Sequence, residues 1–174
     1  VGDLKFGRTV HSLCKLLALF KDIRVVLVSP EELKMPANLV EYLREQGQVV
    51  IESDALEESI SNVDIVYSTR IQEERFNSQE EADIYRGRFR LNQTIYTANC
   101  EPNTVIMHPL PRDSRENARE LDEDLNDNPN LAIFRQTDNG ILVRMALFAL
   151  VLDVQNEINS SARDTIWYTA GRSL

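Results

Sequence analysis

The 174 residues (19.9 kDa) are enough for one domain with a real core, and a 43% hydrophobic, 27% charged composition with only 6 Gly and 6 Pro excludes disordered, collagenous and low-complexity classes. A formal net charge of −9, from 28 acidic against 19 basic side chains, disfavours nucleic acid and anionic membranes as general partners. A local cationic pocket remains possible, and on this acidic background it would call for a specific anionic ligand or ion pair. The longest apolar run, residues 145–152, falls well short of the roughly 18 or more needed to cross a bilayer.

In chain order, Val1-Gly2-Asp3 reads as the end of a β-strand. There is no initiator Met, and charges stand where a secretory leader needs an apolar stretch. The sequence is therefore expected to be a fragment of a longer cytoplasmic chain. Val10, Leu13, Cys14, Leu17 and Phe20 form the apolar stripe of a helix starting near Arg8 or Thr9. A strand is expected at 24–29, a helix at 37–46 stopped by Gly47, a strand at 48–52, a short acidic helix at 54–61 and a strand at 64–69. Residues 79–89 read as helix or mobile loop, 104–108 as a strand ending at a Pro109-Leu110-Pro111 corner, and 112–130 as a charged segment. A strand at 131–134 and an apolar helix at 139–154 follow, then a polar tail, 155–174, in which Trp167 and Tyr168 are free to dock.

Such alternation predicts an α/β fold, a three-layer Rossmann-like domain with a mostly parallel sheet flanked by helices. Ligands on such folds bind at the carboxyl ends of the strands, which singles out residues 3–9, 68–75 and 108–112. Two cysteines, Cys14 and Cys100, are too few for a disulfide scaffold and not spaced for a metal. Both are expected to be small buried apolar residues.

Around the first of these segments, residues 2–12 gather two glycines, Lys5, Arg8 and the hydroxyls of Thr9 and Ser12 at a helix N-terminus, an arrangement suited to an anion. Read blandly, Thr9 is only a helix cap and Arg8 a surface cation. The segment lacks the Gly-x-Gly-x-x-Gly spacing, which weighs against a dinucleotide site. In the second, Arg70 and Gln72 lie on one side of an extended stretch, a guanidinium and an amide that suit a carboxylate. The bland alternative pairs Arg70 with Glu73 or Glu74. In the third, His108-Pro109-Leu110-Pro111-Arg112 forms a rigid corner whose prolines cannot donate, leaving carbonyl oxygens to accept from an amine.

Together these segments resemble the aspartate carbamoyltransferase family, in its C-terminal, aspartate-binding half. The matching strings are Val1-Gly2-Asp3-Leu4-Lys5-Phe6-Gly7-Arg8-Thr9-Val10-His11-Ser12-Leu13, Tyr67-Ser68-Thr69-Arg70-Ile71-Gln72-Glu73-Glu74-Arg75, Met107-His108-Pro109-Leu110-Pro111-Arg112, and Asn139-Gly140 with Arg144-Met145-Ala146-Leu147. They stand in family order, and the likeness runs from Val1 to about Asp153. The first string looks most like eukaryotic versions, where the domain ends a multifunctional pyrimidine-synthesis polypeptide.

The resemblance implies that Arg8 and Arg70 grip the carboxylates of L-aspartate with help from Gln72. Leu110 and Pro111 would offer main-chain carbonyls to the amine and the carbamoyl group of carbamoyl phosphate, and Arg75 would brace domain closure. It implies no metal or organic cofactor, a cytoplasmic homotrimer for the complete protein, and no direct chemical role for His108 or His11. Aspartate is favoured over ornithine, because a cationic side chain gains nothing from Arg70. The domain is expected to cover residues 1–154, with 155–174 as a tail and the carbamoyl-phosphate domain absent, since the family's Ser-Thr-Arg-Thr-Arg motif and lysine loop do not occur. The chain alone is then expected to be inactive.

One departure is that the glutamate usually three residues beyond the corner arginine is missing, with Glu116 the nearest substitute. The helix at 139–154 is apolar nearly all round and would expose a sticky patch without a partner. The competing reading is a non-catalytic scaffold or small-anion-binding module on the same fold. A nucleotide-binding domain is weakened by the missing glycine fingerprint.

Overall fold

The computed structural model of the chain describes residues 1–161, so Trp167 and Tyr168 lie outside the described residues. Residues Val1–Leu131 form one compact unit and a second begins at Ala132. The first unit contains α1 (Arg8–Leu17), β1 (Arg24–Val28), α2 (Ala37–Glu45), β2 (Val49–Ser53), α3 (Leu56–Ser59), β3 (Ile65–Tyr67), α4 (Gln79–Asp83), α5 (Gln93–Asn99) and β4 (Val105–Met107). The second contains α6 (Ile133–Val151) and α7 (Gln155–Ser160).

Among the described residues all strand pairing is parallel, as expected for short β-branched runs separated by helices. β1 pairs with β2 from Arg24 opposite Val49 to Val28 opposite Ser53. β3 pairs with β4 from Ile65 opposite Val105 to Tyr67 opposite Met107. Val1 and Gly2 join the two pairs. The Gly2 amide donates to the Val28 carbonyl at 3.0 Å, and Gly2 bridges Thr69 in parallel. Glycine is needed there: its φ is +111°, and a Cβ would come within 2.2 Å of the Thr69 carbonyl oxygen. The expected opening strand end is thus a single bridge.

The core forms where α1 and α2 turn their apolar stripes onto the sheet, with Leu4, Val10, Cys14, Leu27, Leu39 and Leu43 buried together. Cys14 is buried and Cys100 only half-buried. Burial pushes both thiols up, that of Cys100 to about 11, so neither is a thiolate near neutral pH.

The strand expected at 131–134 does not form. Leu131 makes one parallel bridge to Ile106, and the Gln136 amide then donates to the Ala132 carbonyl at 2.8 Å, so the helical ladder has already begun. The apolar run was the first turn of a 19-residue helix. Helix α5, unanticipated in the sequence, starts where the Asn92 side chain accepts from the Ile95 amide at 2.8 Å. Within the second unit, α6 carries exposed Ile141, Leu142, Met145, Phe148 and Val151. No helix among the described residues is long and apolar enough to cross a membrane.

Candidate functional site

Three loops lie side by side at the carboxyl edge of the strands because the strands that launch them are hydrogen-bonded neighbours. The Thr69 amide donates to the Val1 carbonyl at 3.0 Å, and the Ser68 amide to the Met107 carbonyl at 3.0 Å. The first and second loops are stapled by Asp3, which is fully buried. One carboxylate oxygen accepts from the amides of Lys5 and Phe6 at 3.1 and 2.9 Å, and the other from the Gln72 amide at 3.1 Å. Burial outweighs these bonds and raises the Asp3 carboxyl above its usual value. The turn tightens at Gly7, where a Cβ would stand 2.4 Å from the Asp3 carbonyl oxygen.

Helix α1 begins at Arg8 with Gly7 as its cap residue, so Thr9 is not the cap. Arg8 is exposed in the first helical turn, and its guanidinium bridges no carboxylate among the described residues. His11 sits one turn later with Nε2 2.8 Å from the Leu4 carbonyl oxygen, bracing the same loop. In the second loop Arg70 pairs with Glu74 at 3.0 Å, its side chain 31% exposed. That ion pair is the bland alternative, realised with Glu74 rather than Glu73. Gln72 is held through its amide by Asp3, and Arg75 is exposed with its guanidinium bridging no carboxylate among the described residues.

At the third loop Leu110 adopts a left-handed φ of +57°, a costly conformation for a branched side chain. Its amide donates to Nδ1 of the buried His108 at 2.8 Å. With Nδ1 accepting, the ring proton sits on Nε2, which lies 2.7 Å from the buried Glu120 carboxylate. Glu120 also accepts from the Asp113 amide at 3.2 Å. His108 therefore shapes the corner through its two ring nitrogens. Glu116, the substitute expected for the missing family glutamate, is exposed; the acid that holds this corner is Glu120. The carbonyl oxygens of Leu110 and Pro111 accept no hydrogen bond among the described residues. Both residues line a cavity of about 370 Å³ together with Arg112, Ser114, Arg119 and Glu123. Arg8, Arg70 and Gln72 are not part of its wall. Arg112 is committed to structure, donating to the Asn126 side chain at 3.0 Å.

Glu73 ties the second loop to the third. Its carboxylate accepts from Arg86 Nε at 2.7 Å, from Arg115 Nη2 at 2.6 Å and from the Gln79 side chain at 3.2 Å. Arg86 and then Arg115 hold this carboxyl well below the usual range, and Arg115 is held protonated by Asp113 and Glu73. Because the folded value lies below the unfolded one, the stabilisation is complete above about 4.5 and is lost as pH falls toward the folded value. Glu73→Gln is expected to cost about 1–2 kcal/mol at neutral pH and to flatten the acid side of the stability profile, read from urea midpoints across pH. An acid limb parallel to that of the unchanged protein would contradict this.

The sequence model described as "Aspartate/ornithine carbamoyltransferase, Asp/Orn binding domain" matches residues 1–151. The chain belongs to this family. It is 71% identical over 168 residues to the aspartate carbamoyltransferase catalytic subunit of Saccharophagus degradans, covering 97% of this chain and 50% of that subunit. It is 45% identical over 152 residues to the multifunctional protein CAD of Squalus acanthias, covering 87% of this chain and 6% of that protein. The match thus reaches both kinds of protein, with higher identity to the bacterial subunit. Among solved structures, aspartate transcarbamoylase from Trypanosoma cruzi in complex with aspartate and phosphate superposes with a TM-score of 0.71 at 35% identity, covering 84% of this chain and 44% of that one. The α/β Rossmann-like fold with its parallel strands is the fold of this family domain. The chain spans about half the length of the bacterial subunit it matches.

Proposed function

We propose that the chain is the aspartate-binding half of an aspartate carbamoyltransferase, a cytoplasmic homotrimer in its complete form, acting in pyrimidine biosynthesis. The domain proper would be residues 1–154, residues 155–174 a tail, and the carbamoyl-phosphate groups would come from a second domain. The observation that carries this reading is the Asp3 staple, which brings the Arg8 loop and the Arg70–Gln72 loop together at the carboxyl edge. The family membership and the aspartate in the Trypanosoma cruzi structure support it.

In this reading Arg8 and Arg70 each take a carboxylate of L-aspartate, and Gln72 orients the second of them. Arg70 exchanges Glu74 for the substrate. The free carbonyl oxygens of Leu110 and Pro111 accept the N–H groups of the amine and of the carbamoyl group. The amine lone pair attacks the carbamoyl carbon, the bond from that carbon to the phosphate oxygen breaks, and the amine nitrogen gives up a proton as phosphate leaves. The products are N-carbamoyl-L-aspartate and phosphate. Arg75, exposed and unpaired among the described residues, is available to an acid of the second domain on closure. Without that domain the chain positions one substrate and does not turn over.

Titration with L-aspartate is expected to shift the backbone amide resonances of Arg8, Arg70 and Gln72 at roughly millimolar concentrations, while L-ornithine leaves them in place. Equal shifts from both amino acids, or shifts from ornithine alone, would contradict the reading.

A further inference from the structure

The Pro109-Leu110-Pro111 corner has one backbone donor. Prolines at 109 and 111 carry no N–H, so the Leu110 amide is the main-chain handle by which the surrounding structure can hold the corner in place. That amide donates to Nδ1 of His108 at 2.8 Å, with Leu110 at a φ of +57°, where a branched side chain does not rest unaided. Nδ1 accepts only while the ring proton is on Nε2, and Nε2 stands 2.7 Å from an oxygen of Glu120. The same carboxylate accepts from the Asp113 amide just past the corner, at 3.2 Å. Glu120 is itself fixed from behind. Its carbonyl accepts from the Leu91 amide at 2.9 Å, and the Asp122 amide donates to the Leu91 carbonyl at 2.9 Å, the bonds of a parallel bridge between Leu91 and Leu121. His108 is 1% and Glu120 6% exposed, so the pair is shielded from bulk water.

We infer that Glu120 is a positioning residue for carbamoyl transfer: it sets the tautomer of His108 and, through that ring, the direction of the Leu110 and Pro111 carbonyl oxygens. This rests on the reading in which those oxygens accept N–H groups of the attacking amine and the carbamoyl group. A carboxylate beside Nε2 only accepts, so it keeps the ring proton there and leaves Nδ1 a permanent acceptor for the Leu110 amide. An uncharged side-chain amide in its place offers N–H as well as oxygen. The ring can then carry its proton on Nδ1, which would face the Leu110 amide donor to donor. Leu110 would leave the left-handed region, and its carbonyl would turn with it. The consequence falls on the transition state. A hydrogen bond from the amine strengthens as the attacking nitrogen gains positive charge, so a misdirected acceptor costs turnover more than aspartate binding, which Arg8, Arg70 and Gln72 carry.

The test uses Glu120→Gln, His108→Asn and the double variant, each as the chain alone and in assembly with a carbamoyl-phosphate domain. Nitrogen-15 resonances of the His108 ring report the tautomer in the chain alone. The ring proton should be on Nε2 in the unchanged chain and should move to Nδ1 in Glu120→Gln. In the assembly, Glu120→Gln should lower kcat by about ten- to a hundredfold while KM for aspartate stays within about twofold. Asn at 108 places a side-chain oxygen near the position of Nδ1 and has no tautomer to set, so in that background Glu120→Gln should cost no more than about twofold further. If Glu120→Gln does not fold, His108→Asn is compared with His108→Ala, and turnover kept by Asn and lost by Ala is the expected result. An Nε2 proton retained in Glu120→Gln, an unchanged kcat, equal losses in the His108 and Asn backgrounds, or equal turnover in Asn and Ala would overturn the inference. Absence of turnover with the unchanged chain would contradict the carbamoyltransferase reading itself, and the inference with it.

Discussion

Asp3→Ala should lower the stability of the chain by about 3–5 kcal/mol, more than any other single change at the carboxyl edge. The side chain is fully buried and serves three backbone donors, those of Lys5, Phe6 and Gln72. Each donor left without an acceptor in a buried place costs roughly 1–3 kcal/mol, reduced where the loop relaxes toward water. For a chain of this size that is a fall in the thermal midpoint on the order of 10 °C. Asp3→Asn keeps one acceptor oxygen and turns an amide group toward remaining donors, so its cost should lie between. The titration of Asp3 runs opposite to that of Glu73. Burial raises its carboxyl, so between the ordinary value of 3.8 and the raised one the folded state holds more protons than the unfolded state, and this group's contribution falls as pH rises. An Asp3→Ala cost below about 1 kcal/mol would show that the staple carries little, and the adjacency of the Arg8 and Arg70 loops would need another cause.

The second large effect is on substrate use rather than stability. In an assembly with a carbamoyl-phosphate domain, Arg70→Ala should lower kcat/KM for aspartate by about two to four orders of magnitude, from the loss of two charge-assisted hydrogen bonds worth roughly 1.5–3 kcal/mol each. Arg70→Lys should recover only part, since an ammonium cannot make the planar two-bond contact. Folding should be nearly untouched, because Arg70 is 31% exposed and its pairing with Glu74 is a surface contact. A loss confined to carbamoyl phosphate, with aspartate affinity unchanged, would take Arg70 out of the aspartate site.

Periodicity alone located β1, β2, β3 and β4 to within a residue or two, and with them the three loops that follow strands. The Leu-Pro corner was readable because two prolines fix the backbone and remove donors. What holds the loops together was not readable, since it joins distant parts of the chain. Asp3 and Gln72 are 69 residues apart, and Glu73 and Arg115 are 42 apart. Part of the Asp3 signal was local: an aspartate followed by Lys5 and Phe6, whose amides it accepts, is the pattern of a side-chain-capped turn. Helix α5 had its signal in Asn92, a strong cap ahead of Gln93-Thr94-Ile95. The strand expected at 131–134 failed because Ile133 and Phe134 fit either periodicity, and a long helix decided between them. His108 is assigned by its ring contacts, which no spacing of residues announces.

The central claim is tested most directly by measuring carbamoyl transfer from carbamoyl phosphate to L-aspartate with this chain alone and then mixed with the carbamoyl-phosphate domain of a bacterial aspartate carbamoyltransferase. The prediction is no turnover from either part alone and N-carbamoyl-L-aspartate formed on mixing. Silence in a mixture shown to assemble, or product formed with ornithine in place of aspartate, would contradict it.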